Sequence, residues 1–147
     1  MDMLRQLLMG GAVSLCNIAV HAIVMATVVS NARKALNWER GRSQVWLVAV
    51  MVVTVGILMA AHVAEVLIWA VAYAFLGVAP GGTDVLYFAF VNYTTLGYGD
   101  VLPLERWRLL GPMAAMNGVL LFGWSTAVIF EVLRRAMRNR NRPSGDL

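Results

Sequence analysis

Charge is scarce in this chain. Asp, Glu, Lys and Arg make up 14% of its 147 residues, 60% are hydrophobic, and the mean hydropathy is +0.69. A soluble domain has to cover itself with polar groups, so this balance excludes one and fits a chain whose solvent is mostly lipid. Cysteine is nearly absent. Cys16 stands alone inside an apolar run, which excludes an intrachain disulfide and any CxxC or Cys/His cluster. No internal repeat is visible, and nothing reads as a nucleotide-, calcium- or ligand-binding domain. The two histidines, His21 and His62, lie in apolar runs. No metal-spaced cluster appears and no nucleophile sits beside a base, so the requirements of a membrane enzyme are not met. At roughly 20 apolar residues per span, the length allows one domain and about three spans.

What the chain does have is apolar runs. The first, from about Leu7 to Ser30, carries no charge and is long enough to cross a bilayer. A cleaved signal peptide is the rival reading, but the apolar stretch is about twice the usual length and the leader holds only Arg5 against Asp2. The run lacks arginines at three-residue spacing, which excludes a voltage sensor of the charged type. His21 reads as a packed or interfacial polar group, with pH sensing as the other option. Gly10-Gly11 either permit close helix packing or belong to a frayed end.

Asn31 to Gln44 then holds Arg33, Lys34, Arg40 and Arg42 against Glu39. A second run, Val45 to Val78, is interrupted only by His62 and Glu65. As one helix it would be roughly 50 Å long, so it must tilt or project beyond a hydrocarbon core of about 30 Å. Pro80-Gly81-Gly82 ends it, and Thr83-Asp84 offers a cap for a new helix. The apolar and aromatic stretch Val85 to Thr95 is too short to span and reads as re-entrant or buried. After Gly97-Tyr98-Gly99-Asp100, Pro103 and the charged patch at 105–108, a third span runs from Leu109 to Leu133. It ends in Arg134, Arg135, Arg138, Arg140 and Arg142, and a Pro-Ser-Gly tail that is expected to be disordered.

A pI near 9.8 could point to nucleic acid, but the basic residues form short blocks beside the apolar runs. That is a topology signal, and no nucleic-acid partner is expected. Nine of the twelve Lys and Arg fall on the first loop and the tail, which three spans place on one side. The positive-inside rule makes that side cytoplasmic, leaving the N-terminus and residues 79–107 outside. The short segment therefore enters from outside.

The sequence Tyr93-Thr94-Thr95-Leu96-Gly97-Tyr98-Gly99-Asp100 closely resembles the signature of the potassium-channel pore-module family. The likeness runs from about Val45 to Leu133. Pro103 and Trp107 stand where such modules carry a proline and a tryptophan, Gly118 falls at the glycine hinge of the inner helix, and Phe122, Gly123 and Thr126 match its cavity-lining positions. The first span lies outside this two-span module.

The resemblance implies an all-α membrane protein with three transmembrane helices, a re-entrant pore helix and a selectivity filter, assembled as a homotetramer. In that reading residues 1–44 are the extra span and basic loop, and 134–147 a basic cytoplasmic tail. Between them lies the pore module, 45–133: outer helix 45–78, pore helix 83–95, filter 95–99 and inner helix 109–133. Carbonyls of Thr95, Leu96, Gly97 and Tyr98, with the Thr95 hydroxyl, would replace the water around K+, the permeant ion; no cofactor is implied. Pointing successive carbonyls inward needs left-handed backbone at alternate residues, which Gly97 and Gly99 adopt without steric cost. Tyr98 would point away from the pore and brace the ring by packing and a hydroxyl hydrogen bond. Asp100 would add negative charge outside the filter or serve as a turn residue, and the negative end of the pore helix would favour a cation in the cavity. One filter strand per chain means four chains around an axis.

Three departures matter. Leu96 replaces the usual valine, Phe88 stands where many relatives have a tryptophan that bonds the filter tyrosine, and Val91 where some have a glutamate. The usual buttresses are missing. Glu65, with His62 and Trp69 on its helix face, would supply them by bonding Asn92, Tyr93 or Tyr98, with Thr94 beside them; alternatively it reaches water near the outer interface. Glu131 either pairs with Arg135 or lines the inner mouth, the arginine tail sets topology and can hold anionic lipid headgroups, and the methionines pack.

The function expected from all this is a potassium-selective channel opened by inner-helix movement about Gly118. The alternative is a weakly selective or non-conducting subunit with a structural or partner role. A bacterial inner membrane is the expected location, and the gating stimulus is not legible.

Overall fold

The computed structural model describes residues 2–38 and 44–140. Arg40 and Arg42 of the basic loop, Arg142 and the Pro-Ser-Gly tail lie outside the described residues. The described elements are α1 (Asp2–Trp38), α2 (Gln44–Leu76), the short α3 (Val85–Tyr93), a 3-10 turn at Glu105–Trp107, and α4 (Leu110–Arg140). Among the described residues three helices are long and apolar enough to cross a membrane. The 9-residue α3 is not. The chain is an all-helical membrane protein.

Helix ends follow local chemistry. α1 continues past the apolar run because Ala32 and Leu36 extend the buried stripe of Met25 and Val28 by helical spacing. α4 likewise runs beyond Leu133, carrying Val128, Val132 and Ala136 on one buried face. α2 stops at Leu76, short of the expected 78 and before the Pro80-Gly81-Gly82 breaker. Gly77 takes a φ of 58°, Val78 N–H bonds the Tyr73 carbonyl at 3.0 Å, and Gly77 N–H reaches Ala74 O at 3.3 Å. These two bonds satisfy carbonyls that a helix end leaves orphaned, and they bury Val78 against the core.

α3 is shorter than the predicted 83–95. Asp84 is its N-cap, accepting hydrogen bonds from the amides of Leu86 at 3.0 Å and Tyr87 at 3.1 Å. Replacing Asp84 by alanine is expected to cost about 1 kcal/mol, and by asparagine only a few tenths. Thermal unfolding in detergent would check this, and equal melting for both variants would count against the capping role.

Within lipid the hydrophobic effect does not drive helices together, so packing and interhelical hydrogen bonds must. α1 and α4 run parallel: Gln6 Oε1 accepts from Leu109 N–H at 2.9 Å, Asn17 Nδ2 donates to Asn117 Oδ1 at 3.0 Å, and farther along Met25 and Val28 pack with Val128 and Val132. α2 runs the other way and packs against both. The basic ends of α1 and α4 consequently share one end of the bundle. At the opposite end Trp69, Tyr73, Phe88, Ala89, Tyr93 and Trp107 form an aromatic core around α3. Tyr73 and Phe88 meet at a tilt of 40° with centroids 5.2 Å apart, and Arg5 lies 5.0 Å over the Trp107 ring.

Candidate functional site

The glycine-rich strand leaves the C-terminal end of α3. Leu96 N–H reaches back to Val91 O at 3.0 Å and Gly97 N–H to the same carbonyl at 3.3 Å, which turns the chain out of the helix. Beyond it, left-handed backbone recurs at alternate residues: Thr95 at φ 62°, Gly97 at 56° and Gly99 at 78°. The two glycines adopt it freely. Thr95 does not, since a β-branched residue at positive φ is strained, and this member of the alternation was not expected from sequence. Leu96 and Tyr98 are exposed on the single chain. At the far end Tyr87 donates its hydroxyl to Asp100 Oδ2 at 2.7 Å. The Asp100 carboxylate raises the Tyr87 phenol above its ordinary value. Asp100 is thus tied to the start of α3 as well as placed beyond the strand.

Of the three partners named for Glu65, the structure supplies Tyr93, whose hydroxyl makes a short hydrogen bond to Glu65 Oε2. Asn92 turns elsewhere, donating to Phe88 O at 2.9 Å and packing against Gly111. Thr94 bonds its own helix at Phe90 O. Glu65 is fully buried, so the water-reaching alternative does not apply. Its other oxygen accepts from His21 Nδ1 at 2.7 Å, and His62 Nδ1 lies 3.0 Å from Oε2.

No metal-spaced cluster is visible along the chain, yet candidate ligand atoms of His21, His62 and Glu65 lie within 4.8 Å of one another. They come from two helices, 44 residues apart at the widest, so linear spacing could not reveal them.

The inner-helix residues divide. Gly118 sits where α4 crosses the end of α3: a Cβ there would meet the Tyr93 carbonyl oxygen at 2.1 Å. Phe122 packs toward the bundle, 4.5 Å from the His62 ring and 5.5 Å from Tyr93 by centroids. Gly123 and Thr126 face open space, with the Thr126 hydroxyl bonded to Phe122 O. Glu131 pairs with Arg134 and Arg135 together.

Sequence reasoning missed Asn17, Asn117, Ser125 and Gln6. Asn117 Oδ1 also accepts from Trp69 Nε1 at 3.1 Å, and Asn17 Nδ2 reaches Glu65 O at 3.3 Å. The signal was present: Asn17, Asn117 and Ser125 are polar side chains inside apolar spans, which in lipid seek interhelical partners.

A short capped helix, a strand with alternating left-handed backbone and the closely packed α4 thus meet at one end of the bundle. A family model described as ion channel matches residues 61–135, just over half of the chain. The chain belongs to this ion-channel family. It is 37% identical over 57 residues to the potassium voltage-gated channel protein shk-1 of Caenorhabditis elegans, a match covering 38% of this chain and 11% of that protein. The matched part is thus about a tenth of that relative's length. No solved structure matches the chain.

Proposed function

We propose that the chain is one subunit of a homotetrameric potassium-selective channel, with its filter at 95–99. The observation that carries this reading is the left-handed alternation at Thr95, Gly97 and Gly99. Flipping every second residue points the carbonyls of Thr95, Leu96, Gly97 and Tyr98 to one side. Four such strands around an axis would offer rings of oxygens to a dehydrated cation. α3 is then the re-entrant pore helix, its negative C-terminal end aimed at the cavity, and Gly123 and Thr126 line the cavity below.

Glu65 and Tyr93 take over the bracing that Phe88 and Val91 cannot give. They act at the base of the filter, two residues before Thr95. Tyr98, open on one chain, would pack against a neighbouring subunit. The N-terminus lies outside and the arginine-rich end in the cytoplasm, next to anionic headgroups, in a bacterial inner membrane. Opening involves the inner helices near Gly118.

Purified full-length protein in liposomes tests this. Potassium flux is expected and sodium flux is not, with a single assembly of four chains by light scattering. Passage of both ions alike, or of neither, would reject selective conduction and favour the structural-subunit alternative.

A further inference from the structure

Three helices place nitrogen and oxygen donors around one buried point. His21 comes from α1, His62 and Glu65 from α2, and Tyr93 from α3. The His62 Nδ1 to Tyr93 hydroxyl distance is 3.0 Å, comparable to the 2.7 and 3.0 Å imidazole–carboxylate distances. A four-coordinate ion bonded to N and O at about 2.0–2.1 Å holds its donors about 3.3 Å apart. The ligand atoms of His21, His62 and Glu65 lie within 4.8 Å of one another, so closing this set around an ion draws the widest pair together by up to about 1.5 Å.

The second nitrogens of the rings give an independent observation. Both imidazoles turn Nε2 toward a single hydroxyl, Ser125 Oγ of α4, at 2.9 Å from His62 and 3.4 Å from His21. A hydroxyl carries one proton but accepts two hydrogen bonds. If both neutral rings donate through Nδ1–H to the carboxylate, both Nε2 atoms are acceptors facing one proton, and one is left unmatched; matching both without a cation needs His62 in the other tautomer, its Nδ1 accepting from the Tyr93 hydroxyl in place of Glu65. If Nδ1 of each ring instead bonds a cation, each carries Nε2–H, and Ser125 accepts from both. That is how metal-bound histidines are generally held, by an outer oxygen receiving the second N–H. A dication also supplies counter-charge to Glu65, a carboxylate at membrane depth whose partners here are imidazoles and a phenol.

We propose that His21, His62 and Glu65, with the Tyr93 hydroxyl as fourth donor, bind one divalent transition metal of the zinc or cobalt class per subunit, joining the first span to the helix that precedes the filter. This departs from the expectation of no cofactor. It does not rest on conduction, because its primary readout is bound metal.

Full-length protein in detergent, stripped with a chelator and then incubated with Zn2+ or Co2+ alone, provides the test. About one equivalent of zinc per chain is expected by elemental analysis, with a raised melting temperature that chelation reverses. Cobalt should give the intense visible bands of a four-coordinate nitrogen–oxygen site. Ser125→Ala should weaken binding about 10–100-fold, the usual effect of losing an outer-shell partner, and His21→Asn should abolish the bands. Folded wild-type protein that binds no zinc and gives only the weak absorption of aqueous cobalt would overturn the proposal, leaving a self-contained hydrogen-bond network. Bands that persist in both His21→Asn and Glu65→Gln would place the metal elsewhere and overturn it equally. The cobalt reading on wild-type protein stands even if a variant does not fold.

Discussion

Glu65→Leu is expected to lower the stability of the folded bundle by about 3–5 kcal/mol, the range seen when one partner of a buried charged contact is removed. Glu65 Oε1 accepts from His21 and Oε2 from Tyr93, with His62 beside it. His21 and Tyr93 are both 0% exposed. Leucine fills the volume but offers no acceptor, and lipid supplies no water in its place. Glu65→Gln keeps one acceptor oxygen and should cost about 1–3 kcal/mol, the penalty for a buried polar group left unmatched. Circular-dichroism melting in detergent would rank the three chains. A Glu65→Leu protein that melts with the parent would show that the cluster holds nothing together, whatever else it binds.

Gly118→Ala carries the second large effect. The added methyl would lie 2.1 Å from the Tyr93 carbonyl oxygen and 3.1 Å from its carbon. Both belong to backbone at the end of α3, not to the free tip of a flexible side chain, so one helix has to move. Overpacking of this kind costs about 1–3 kcal/mol and occasionally more. Gly123→Ala on the same helix is the control. Nothing lies within 4 Å of its Cβ position, and alanine forms helix better than glycine by about 1 kcal/mol. The expected order of melting is Gly123→Ala at or above the parent and Gly118→Ala well below. The reverse order would remove the close contact between α4 and the end of α3. Under the proposed function, Gly118→Ala should also lower potassium flux through reconstituted protein, because Tyr93 is two residues from Thr95.

The features legible in the sequence are the local ones. Apolar runs mark the long helices, Asp84 announces the start of α3 through its own side chain, and Gly97 and Gly99 announce a backbone only glycine enters freely. Where two local signals compete, the weaker-looking one can win. Pro80-Gly81-Gly82 reads as the end of α2, yet Gly77 closes the helix first, because its positive φ lets Val78 be buried. Thr95 escaped notice for the converse reason, since a β-branched residue does not advertise a left-handed angle.

The support behind residues 95–99 was half legible. Glu65 stands out as a charge in a span, and its partner Tyr93 was one of three candidates. Asn17, Asn117 and Ser125 carry no charge, and Asn17 meets Asn117 across 100 residues of sequence. Only the parallel packing of α1 on α4 makes them neighbours, and a single chain of letters holds no measure of that distance.

That parallel packing bears on how the inner helix could bend. α1 is one unbroken helix that grips α4 on both sides of Gly118: through Gln6 and Gly10 at residues 109–113 before it, and through Met25 and Val28 at residues 128–132 after it. It therefore acts as a splint across the joint. α4 cannot flex at that glycine while both grips hold, so the opening proposed near Gly118 would require α1 either to swing with the lower half of α4 or to let go at one end.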